Sequence, residues 1–427
     1  MKIPRLQWII AALLFAATAL NYLDRQALAV VSVDIRREFG MNEEDYSYVV
    51  TLFFLAYAIM YGVSGYVVDR LGTRKGFGLF IFGWSLAQVL HALVIGKWSL
   101  AAVRFLLGLN EPANWPAAAK AVQEWFPARQ RALGIGMFNA GSSLGSALAA
   151  PAVALIAITL GWRASFVITG ALGFIWLVAW MMLYESPHRN RWITGQEFEA
   201  LKDHVAPPEV EAAKREKIDW IRVLKERGCW VLIIARFLTD PVIYFAIFWL
   251  PEYLRKERGF DLAMVGKYAW VPFVFGGIGY VVGGWLSGRF MEAGWSLAKS
   301  RKFVMLLGAA AMPVVILAPR VPSAWMAIAA ICFLTTGHAF WIANEQALPT
   351  DLFPGREVAT ASGFTGVGGA IGGMLANLGT GYLVLHFSYA PVFLIAGLVH
   401  PISCGLVYWL LPEREFRKAE LALSSPH

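Results

Sequence analysis

Four charged residues lie inside stretches of sequence that are otherwise apolar enough to cross a lipid bilayer. Asp24 and Arg25 belong to the first of these stretches, and Arg104 and Glu111 belong to the fourth. A charge at the centre of a membrane helix costs about 2.5–3.5 kcal/mol or more, so a functional role is the first interpretation. Two acids and two bases inside a membrane can bind an anion and exchange protons. This pattern indicates a protein that moves something charged across the membrane.

The spacing within the fourth stretch predicts how it bends. Arg104 and Glu111 are seven residues apart, which is two helical turns, so both side chains project from one face. Pro112 and Pro116 follow Glu111, and each removes a backbone hydrogen-bond donor. We therefore predict a membrane helix with one charged face and a loosened segment beside Glu111.

The depths of the four charges predict that they are neighbours. Counting the rise per residue from the centre of each stretch places Asp24 and Arg25 about 6–8 Å outside the bilayer midplane and Arg104 about 9 Å outside it. Glu111 then lies close to the midplane. Asp24 and Arg25 point about 100° apart and cannot both serve one partner. The alternative to a transport site is a neutral cluster of salt bridges that only fastens the two helices together.

Composition sets the broad class of the protein. Hydrophobic residues make up 58% of the 427 residues and charged residues 15%, whereas soluble domains average about 25% charged residues. The sequence therefore predicts a polytopic membrane protein. The formal net charge of +8 reflects basic loops on one side, and we expect no nucleic-acid partner. Three cysteines, an odd number, predict no disulfide framework.

Apolar runs of spanning length predict twelve transmembrane helices, six on either side of a polar segment. The first six lie near residues 8–32, 47–68, 77–96, 98–122, 133–158 and 164–184. The other six lie near residues 229–250, 264–288, 303–319, 323–345, 359–385 and 389–411. Residues 1–184 and 229–427 are thus predicted to be two six-helix bundles of an all-α membrane protein, joined by a cytoplasmic linker at 185–228. The first run resembles a signal peptide, but two charges interrupt it, so we interpret it as an uncleaved span.

Lysine and arginine predict the orientation. The basic residues of short loops on the side shared with the termini are Arg70, Arg74, Lys75, Arg129, Arg131, Arg289, Lys299, Arg301, Lys302 and Arg356. The linker and both tails add more, whereas the opposite side holds fewer. Because basic loops stay inside, we expect a multi-pass protein of the cell inner membrane with both termini in the cytoplasm.

The two halves repeat each other in parallel. Trp125-Phe-Pro aligns with Leu352-Phe-Pro, and glycines coincide at the same offset. The aligned glycine pairs are Gly136 with Gly363, Gly141 with Gly368, and Gly145 with Gly372. Parallel repeats of this kind are typical of transporter folds. The four-residue glycine spacing predicts faces for close helix packing.

The loop after the second span resembles the signature of the major facilitator superfamily. It reads Gly65-Tyr-Val-Val-Asp69-Arg70-Leu-Gly72, followed by Arg74 and Lys75, with a degenerate copy at Gly284-Trp-Leu-Ser-Gly-Arg289. The resemblance implies the twelve-helix fold of that superfamily and a gating role for Asp69 and Arg70 at the cytoplasmic side. The alternative is a basic loop that only sets the topology.

Further motifs resemble the anion:cation symporters within that superfamily, and most closely the bacterial hexuronate and sugar-acid permeases. These motifs are Asn21-Tyr-Leu-Asp-Arg25, Glu111-Pro-Ala-Asn-Trp-Pro116, Glu124-Trp-Phe-Pro127, Phe237-Leu-Thr-Asp-Pro241 and Thr336-Gly-His338 with Trp341. The resemblance implies that Asp24 and Glu111 carry protons and that Arg25 and Arg104 bind the substrate anion. The substrate-binding residues it implies are completed by Tyr22, Tyr57, Asn114, His338 and Trp341.

Other polar residues of the spans have weaker functional interpretations. Arg236 and Asp240 are four residues apart and are expected to neutralise each other. Lys120 lies near a predicted helix end and either serves the site or extends to the membrane surface. No metal-ligand cluster, phosphate loop or nucleophile triad is found in the sequence, so we expect neither an enzyme nor a cofactor.

We therefore interpret the chain as a monomeric secondary transporter in which two halves rock around a midplane site. The sequence favours proton-coupled uptake of a sugar-acid anion such as a hexuronate or aldonate. Exchange of another organic anion, or sodium coupling, stays open as an alternative. A transport-like membrane sensor is less favoured, because the linker is too short for a signalling domain.

Overall fold

The computed structural model describes residues 3, 5–201, 220–260 and 262–416, which form α-helices joined by short turns and 3-10 segments. Within this described part, eleven helices are long and apolar enough to cross a membrane. Exposed side chains on them are often large and apolar, for example Leu155, Ile158 and Ile175. Such surfaces suit contact with hydrocarbon, whereas a soluble protein would bury them.

Spans 1–6 follow the sequence prediction closely. Their bounds are Leu6–Val30 for span 1, Glu43–Leu71 for span 2, Thr73–Leu90 for span 3, Lys97–Asn110 with Asn114–Trp125 for span 4, Ala128–Leu160 for span 5 and Trp162–Leu183 for span 6. A short helix, Ser32–Phe39, follows span 1.

Spans 7–12 follow the same order in the second half. Their bounds are Arg227–Arg258 for span 7, Val271–Glu292 for span 8, Leu297–Ala311 for span 9, Ala324–Glu345 for span 10, Val358–His386 for span 11 and Ala390–Leu410 for span 12. Span 9 continues as a 3-10 segment, Met312–Leu317, and a short helix, Leu348–Leu352, follows span 10. Arg131, Arg301 and Lys302, which hydropathy placed in loops, belong to spans 5 and 9.

Span 4 is a broken helix, and it completes the twelve spans of the fold. Its two α-helical segments are separated by a 3-10 segment at Glu111–Ala113. This interruption lies where Pro112 was predicted to loosen the helix, because proline cannot donate a backbone hydrogen bond. The backbone carbonyl of Glu111 accepts a hydrogen bond from the Asn114 backbone nitrogen and another from Asn21 Nδ2, the latter over 3.3 Å. The span that carries Arg104 and Glu111 is therefore also interrupted as a helix.

The repeated glycines bring span 5 against span 1, and span 11 against span 7. A Cβ atom added at Gly141 or Gly145 would lie 2.3 Å from the carbonyl oxygen of Phe15 or Ala19. A Cβ atom at Gly368 would lie 2.3 Å from the Ile233 oxygen, and one at Gly372 would lie 2.1 Å from the Phe237 oxygen. These backbones approach too closely for any side chain, which confirms the predicted packing faces.

The chain forms two compact units that differ in detail from the predicted bundles. One unit comprises Met1–Pro127, Gly141–Trp220 and Gly355–Gly363, and the other comprises Ala128–Ala140, Ile221–Pro354 and Phe364–His427. The first turns of spans 5 and 11 are therefore each grouped with the opposite half of the sequence. The central part of the predicted linker, residues 202–219, lies outside the described residues. The predicted boundaries at 184 and 229 stay predictions.

Candidate functional site

An ion pair joins spans 1 and 4 at the break in span 4. Arg25 donates from Nε to Oε2 of Glu111 over 2.9 Å, and the Glu111 side chain is fully buried. A second bond runs from Arg25 Nη2 to the Asn21 side-chain oxygen over 3.1 Å. Oε1 of Glu111 has no donor among the described residues. The site therefore contains a buried carboxylate with one oxygen occupied and one available.

Arg104 lies next to this pair but does not bind either predicted acid. It is 5% exposed, and its Nη2 donates to the backbone oxygen of Arg25 over 2.9 Å. Nη1 of Arg104 has no acceptor in the described part of the chain. One edge of this guanidinium can therefore bind another acceptor, such as a substrate carboxylate, because guanidinium and carboxylate match in geometry.

Asp24 is buried beside the same cluster without a counter-charge in contact. The Thr169 hydroxyl neighbours its carboxylate, and no basic side chain of the described residues forms an ion pair with it. Gln88 on span 3 instead reaches the Asp24 backbone oxygen, at 3.4 Å, and the Thr169 hydroxyl, at 2.9 Å. Arg25, and not Asp24, forms the ion pair with span 4, and the two neighbouring side chains leave the helix in different directions.

Aromatic rings surround the Arg25 guanidinium. Its Cζ lies 5.0 Å from the ring centre of Tyr22 and 4.7 Å from that of Tyr57. Phe53 lies between the two arginines, 5.9 Å from Arg25 and 5.3 Å from Arg104. Such contacts stabilise a desolvated cation through the ring quadrupole. Phe53 was not singled out from the sequence, although its four-residue spacing from Tyr57 places both rings on one helix face.

Trp115 and Asn114 extend the cluster along span 4. Trp115 donates from its indole nitrogen to the Tyr57 hydroxyl over 2.9 Å. Asn114 donates to the Thr18 hydroxyl over 3.0 Å, and its side-chain oxygen has no donor within the described ranges. The structure thus brings Tyr22, Tyr57 and Asn114 into the neighbourhood of the charged residues in one unit.

His338 and Trp341 belong to the other unit, where they pack around a second histidine. His338 Nδ1 lies 3.2 Å from His400 Nε2 on span 12, and the Trp341 ring is centred 5.7 Å from that of His400. All three side chains are buried. Their predicted role in substrate binding stays a prediction. His400 was missed because a single histidine in an apolar run gives no signal of its partner.

The second unit also contains a buried ion pair and an acid that the sequence reading missed. Arg236 donates from Nε and Nη2 to one oxygen of Asp240, over 3.0 and 2.7 Å, which is the pairing expected from their spacing. Glu345, at the end of span 10, is fully buried. Neither of its oxygens has a donor among the described residues. No group of three or more metal-binding side chains occurs in this described part.

The predicted gate residue Asp69 holds the start of span 11. It accepts a bond from Lys120 Nζ over 2.6 Å and others from the backbone nitrogen and hydroxyl of Thr360, each over 2.6 Å. Lys120 is therefore buried in an ion pair and does not extend to the membrane surface. Arg70 is exposed. The gating role predicted for Asp69 and Arg70 stays a prediction.

The sequence of this chain is similar to those of known membrane transporters. The family model described as Major Facilitator Superfamily matches residues 14–343 and 292–425. The chain is 33% identical over 411 residues to the hexuronate transporter of Escherichia coli strain K12, covering 96% of this chain and 94% of that protein. It is 34% identical over 313 residues to the galacturonate transporter of Dickeya chrysanthemi, covering 73% of this chain and 90% of that protein.

A more distant relative and two solved structures also match this chain. The D-galactonate transporter of E. coli O6:H1 is 27% identical over 419 residues, covering 96% of both chains. The proton:xylose symporter XylE bound to 6-bromo-6-deoxy-D-glucose matches with a TM-score of 0.72 at 14% identity, over 95% of this chain and 96% of that chain. A variant of the E. coli fucose:proton symporter FucP matches with a TM-score of 0.72 at 15% identity, over 95% of this chain and 99% of that chain. These structural matches support the twelve-helix fold alone.

Proposed function

Since this chain belongs to the Major Facilitator Superfamily and is a membrane transporter, not an enzyme, we propose that it imports a sugar-acid anion together with protons. The observation that carries this proposal is the buried contact between Arg25 and Glu111 at the break in span 4. A cation that can bind a carboxylate is there neutralised by an acid that can be protonated. Anion binding and proton binding are thus coupled through one contact.

The substrate class is proposed from the two guanidinium groups. Arg104 has a free edge toward acceptors in the described part of the chain, and Arg25 becomes available once its bond to Glu111 is lost. A carboxylate is the anion that a planar guanidinium binds through two parallel bonds. The curated relatives named for hexuronate, galacturonate and D-galactonate support a sugar acid. Tyr22, Tyr57 and Asn114 would then contact the sugar.

Proton coupling is proposed from the two acids. A buried carboxylate that forms no ion pair is costly as an anion, which applies to Asp24 in this conformation. A proton on Glu111 removes the negative charge that Arg25 contacts, so the guanidinium can turn to the substrate. The loaded site has fewer uncompensated charges, and an inward-directed proton gradient supplies the driving force.

The orientation is proposed from the basic residues of one face. We place both termini in the cytoplasm of a cell whose inner membrane contains the protein. Asp69, which contacts Lys120 and Thr360, would then lie at the cytoplasmic gate with Arg70. Opening of that gate requires these contacts to break.

Uptake by purified protein in liposomes tests the proposal. The probes are labelled D-galacturonate, D-glucuronate and D-galactonate, with neutral D-galactose as the matched sugar, each with and without an inward pH gradient. We expect gradient-driven accumulation of at least one acid and none of galactose. Accumulation that needs a sodium gradient, or exchange alone, would replace proton symport with the corresponding mechanism. Preference for the neutral sugar would contradict the substrate class.

A further inference from the structure

Glu345 is a buried acid inside a membrane span with no hydrogen-bond donor for either oxygen among the described residues. It is the last residue of Ala324–Glu345 and is 0% exposed. The chain continues directly as the short helix Leu348–Leu352, and the apolar span extends through it. Glu345 is therefore enclosed within the span and does not end it at a water boundary.

Glu345 lies on span 10 between residues that belong to a buried apolar cluster. Glu345 is seven residues beyond His338, so both lie on one face of span 10. Trp341 and Ile342, one turn earlier, and Leu348, one turn later, belong to a single buried cluster. That cluster is completed mainly by side chains from spans 7, 8, 9 and 12, including Val231, Leu232, Ala235, Tyr280, Met305, Cys404 and Val407.

The charged groups on the neighbouring helices are already engaged with other partners. On span 7, Arg236 and Asp240 pair with each other over 2.7 Å. On spans 5 and 9, Arg131 and Arg301 both pair with Asp351, over 3.4 and 3.0 Å. Lys302 donates to the backbone oxygen of Leu411.

The titratable groups of the other neighbouring helices do not reach Glu345 either. His338 and His400 contact each other, and Arg289 on span 8 pairs with Glu292 over 2.7 Å. Cys404 and Tyr280 belong to the cluster beside Glu345 but donate no hydrogen bond to it. Among the described residues, no basic side chain therefore forms an ion pair with Glu345 in this conformation.

We propose that Glu345 is a proton-binding site of this transporter, located in the unit that lacks Asp24 and Glu111. An ionised carboxylate without a counter-charge is unfavourable in such surroundings, whereas a protonated carboxyl group is tolerated. The proton is held while the side chain is buried and is released when the transport cycle exposes it to water. This inference rests on the proposed proton coupling for its role in transport, but the binding of a proton is independent of it.

Infrared spectroscopy of the protein in liposomes tests proton binding directly, with the proton itself as the probe. The C=O stretching band of a protonated carboxyl group is recorded across a pH titration of the wild type, Glu345→Gln and Glu345→Asp. We expect a band that titrates in the wild type, is absent in Glu345→Gln and returns in Glu345→Asp. If Glu345→Gln shows the same titrating bands as the wild type, the proposal is wrong.

Proton-driven accumulation of D-galacturonate tests the role in coupling. One proton moving down a gradient of one pH unit multiplies accumulation about tenfold, since one pH unit corresponds to about 1.4 kcal/mol. We expect the accumulation ratio of Glu345→Gln to be about tenfold below that of the wild type, and that of Glu345→Asp to be close to it. Glu292→Gln, at an exposed acid on span 8, is the matched control. If Glu345→Gln accumulates D-galacturonate as the wild type does, Glu345 has no role in coupling. If the wild type itself shows no proton-driven uptake, the proposed function is wrong, and the infrared titration alone then tests proton binding by Glu345.

Discussion

Arg25 and Glu111 are separated by 86 residues in sequence, yet Nε of one lies 2.9 Å from Oε2 of the other. The contact forms where Pro112 interrupts span 4, so the acid projects from a segment that is no longer a regular helix. A neutral pair of this kind is tolerated in a membrane at lower cost than either charge alone. Protonation of the acid would leave the guanidinium in need of another anion. The pair is thus both a lock between two spans and a way to exchange a proton for a substrate.

Glu111→Gln should abolish proton-driven accumulation of a sugar acid while leaving substrate exchange measurable. Glutamine has nearly the shape of glutamate and can still accept a hydrogen bond from Arg25, but it cannot bind or release a proton. Uptake under an imposed pH gradient and exchange across equal pH, both in proteoliposomes, separate these two properties. Asp24→Asn should behave in the same way.

The matched control for this change is Glu292→Gln. Glu292 also pairs with an arginine, Arg289, over 2.7 Å, but both side chains are exposed. Exposed ion pairs contribute little to stability, so this variant should transport as the wild type does. If Glu111→Gln still concentrates the acid in response to the pH gradient, the contact with Arg25 is only a structural salt bridge.

Gly65→Ala should destabilise the contact between span 2 and the start of span 11. A Cβ atom at Gly65 would lie 2.0 Å from the backbone oxygen of Ala359, which neighbours the Thr360 contacts of Asp69. Overpacking of this kind costs about 1–3 kcal/mol in the free energy of unfolding. We expect a lower midpoint of thermal unfolding and slower transport.

Gly405→Ala on span 12 is the control, because nothing lies within 4 Å of a Cβ atom at Gly405. This change should leave the unfolding midpoint unchanged or raise it slightly, since alanine favours a helix over glycine. Equal unfolding midpoints for the two variants would show that the approach of span 2 to Ala359 is not needed for stability.

The fold was predictable because its signals are local or repeated. Spans follow from runs of apolar residues, and the break in span 4 follows from Pro112. The repeat aligns more than the glycines. Extending the alignment by one residue toward the N-terminus, at the same offset, pairs Glu124 with Asp351. Both acids are buried and hydrogen-bonded, Glu124 to the Thr73 hydroxyl over 2.5 Å and Asp351 to Arg301 over 3.0 Å. A charged residue at equivalent places in two halves was therefore a usable signal.

The partners within the site were less predictable than its members. Depth along each span placed Asp24, Arg25, Arg104 and Glu111 together, but it does not determine which side chains meet. Arg25, and not Asp24, makes the ion pair with Glu111. Glu345 escaped notice because it stands where the hydropathy of span 10 falls, which is typical of a helix end at a water boundary.

Reporter fusions should place the linker and the C-terminus in the cytoplasm and the turn after span 7 outside. The turns on the side of the termini carry more basic residues than the turns on the opposite side, and basic loops are retained in the cytoplasm. The turn near Gly259 is the most informative site, since Arg255, Lys256 and Arg258 make it the most basic segment of the outer face. A cytoplasmic signal from a fusion there would reverse the proposed orientation.

Arg104→Lys should weaken binding of the sugar acid strongly while it lowers the stability of the protein only slightly. Arg104 uses Nη2 to hold the Arg25 backbone oxygen, and its Nη1 has no acceptor in the described part of the chain. Lysine keeps the positive charge and can replace the first bond, but it lacks the planar fork that binds a carboxylate through two bonds. A charge-assisted hydrogen bond is worth roughly 1.5–3 kcal/mol, so the apparent dissociation constant for the acid should rise about tenfold or more.

Arg25→Lys tests the other guanidinium in the same assay, with a structural control on the surface. Arg25 gives Nε to Glu111 and Nη2 to Asn21, a geometry that lysine cannot reproduce, so this variant should lose acid binding and also show an altered pH dependence of uptake. Arg163→Lys, at an exposed pair with Glu38, should change neither. Binding of D-galacturonate is compared with that of neutral D-galactose in each variant, together with the midpoint of thermal unfolding. If lysine at both positions preserves the preference for the acid over the neutral sugar, these two arginines are scaffold. The anion site would then have to be sought at another buried cation. Lys120 and Arg236 are the next candidates, and each pairs with an acid in this conformation.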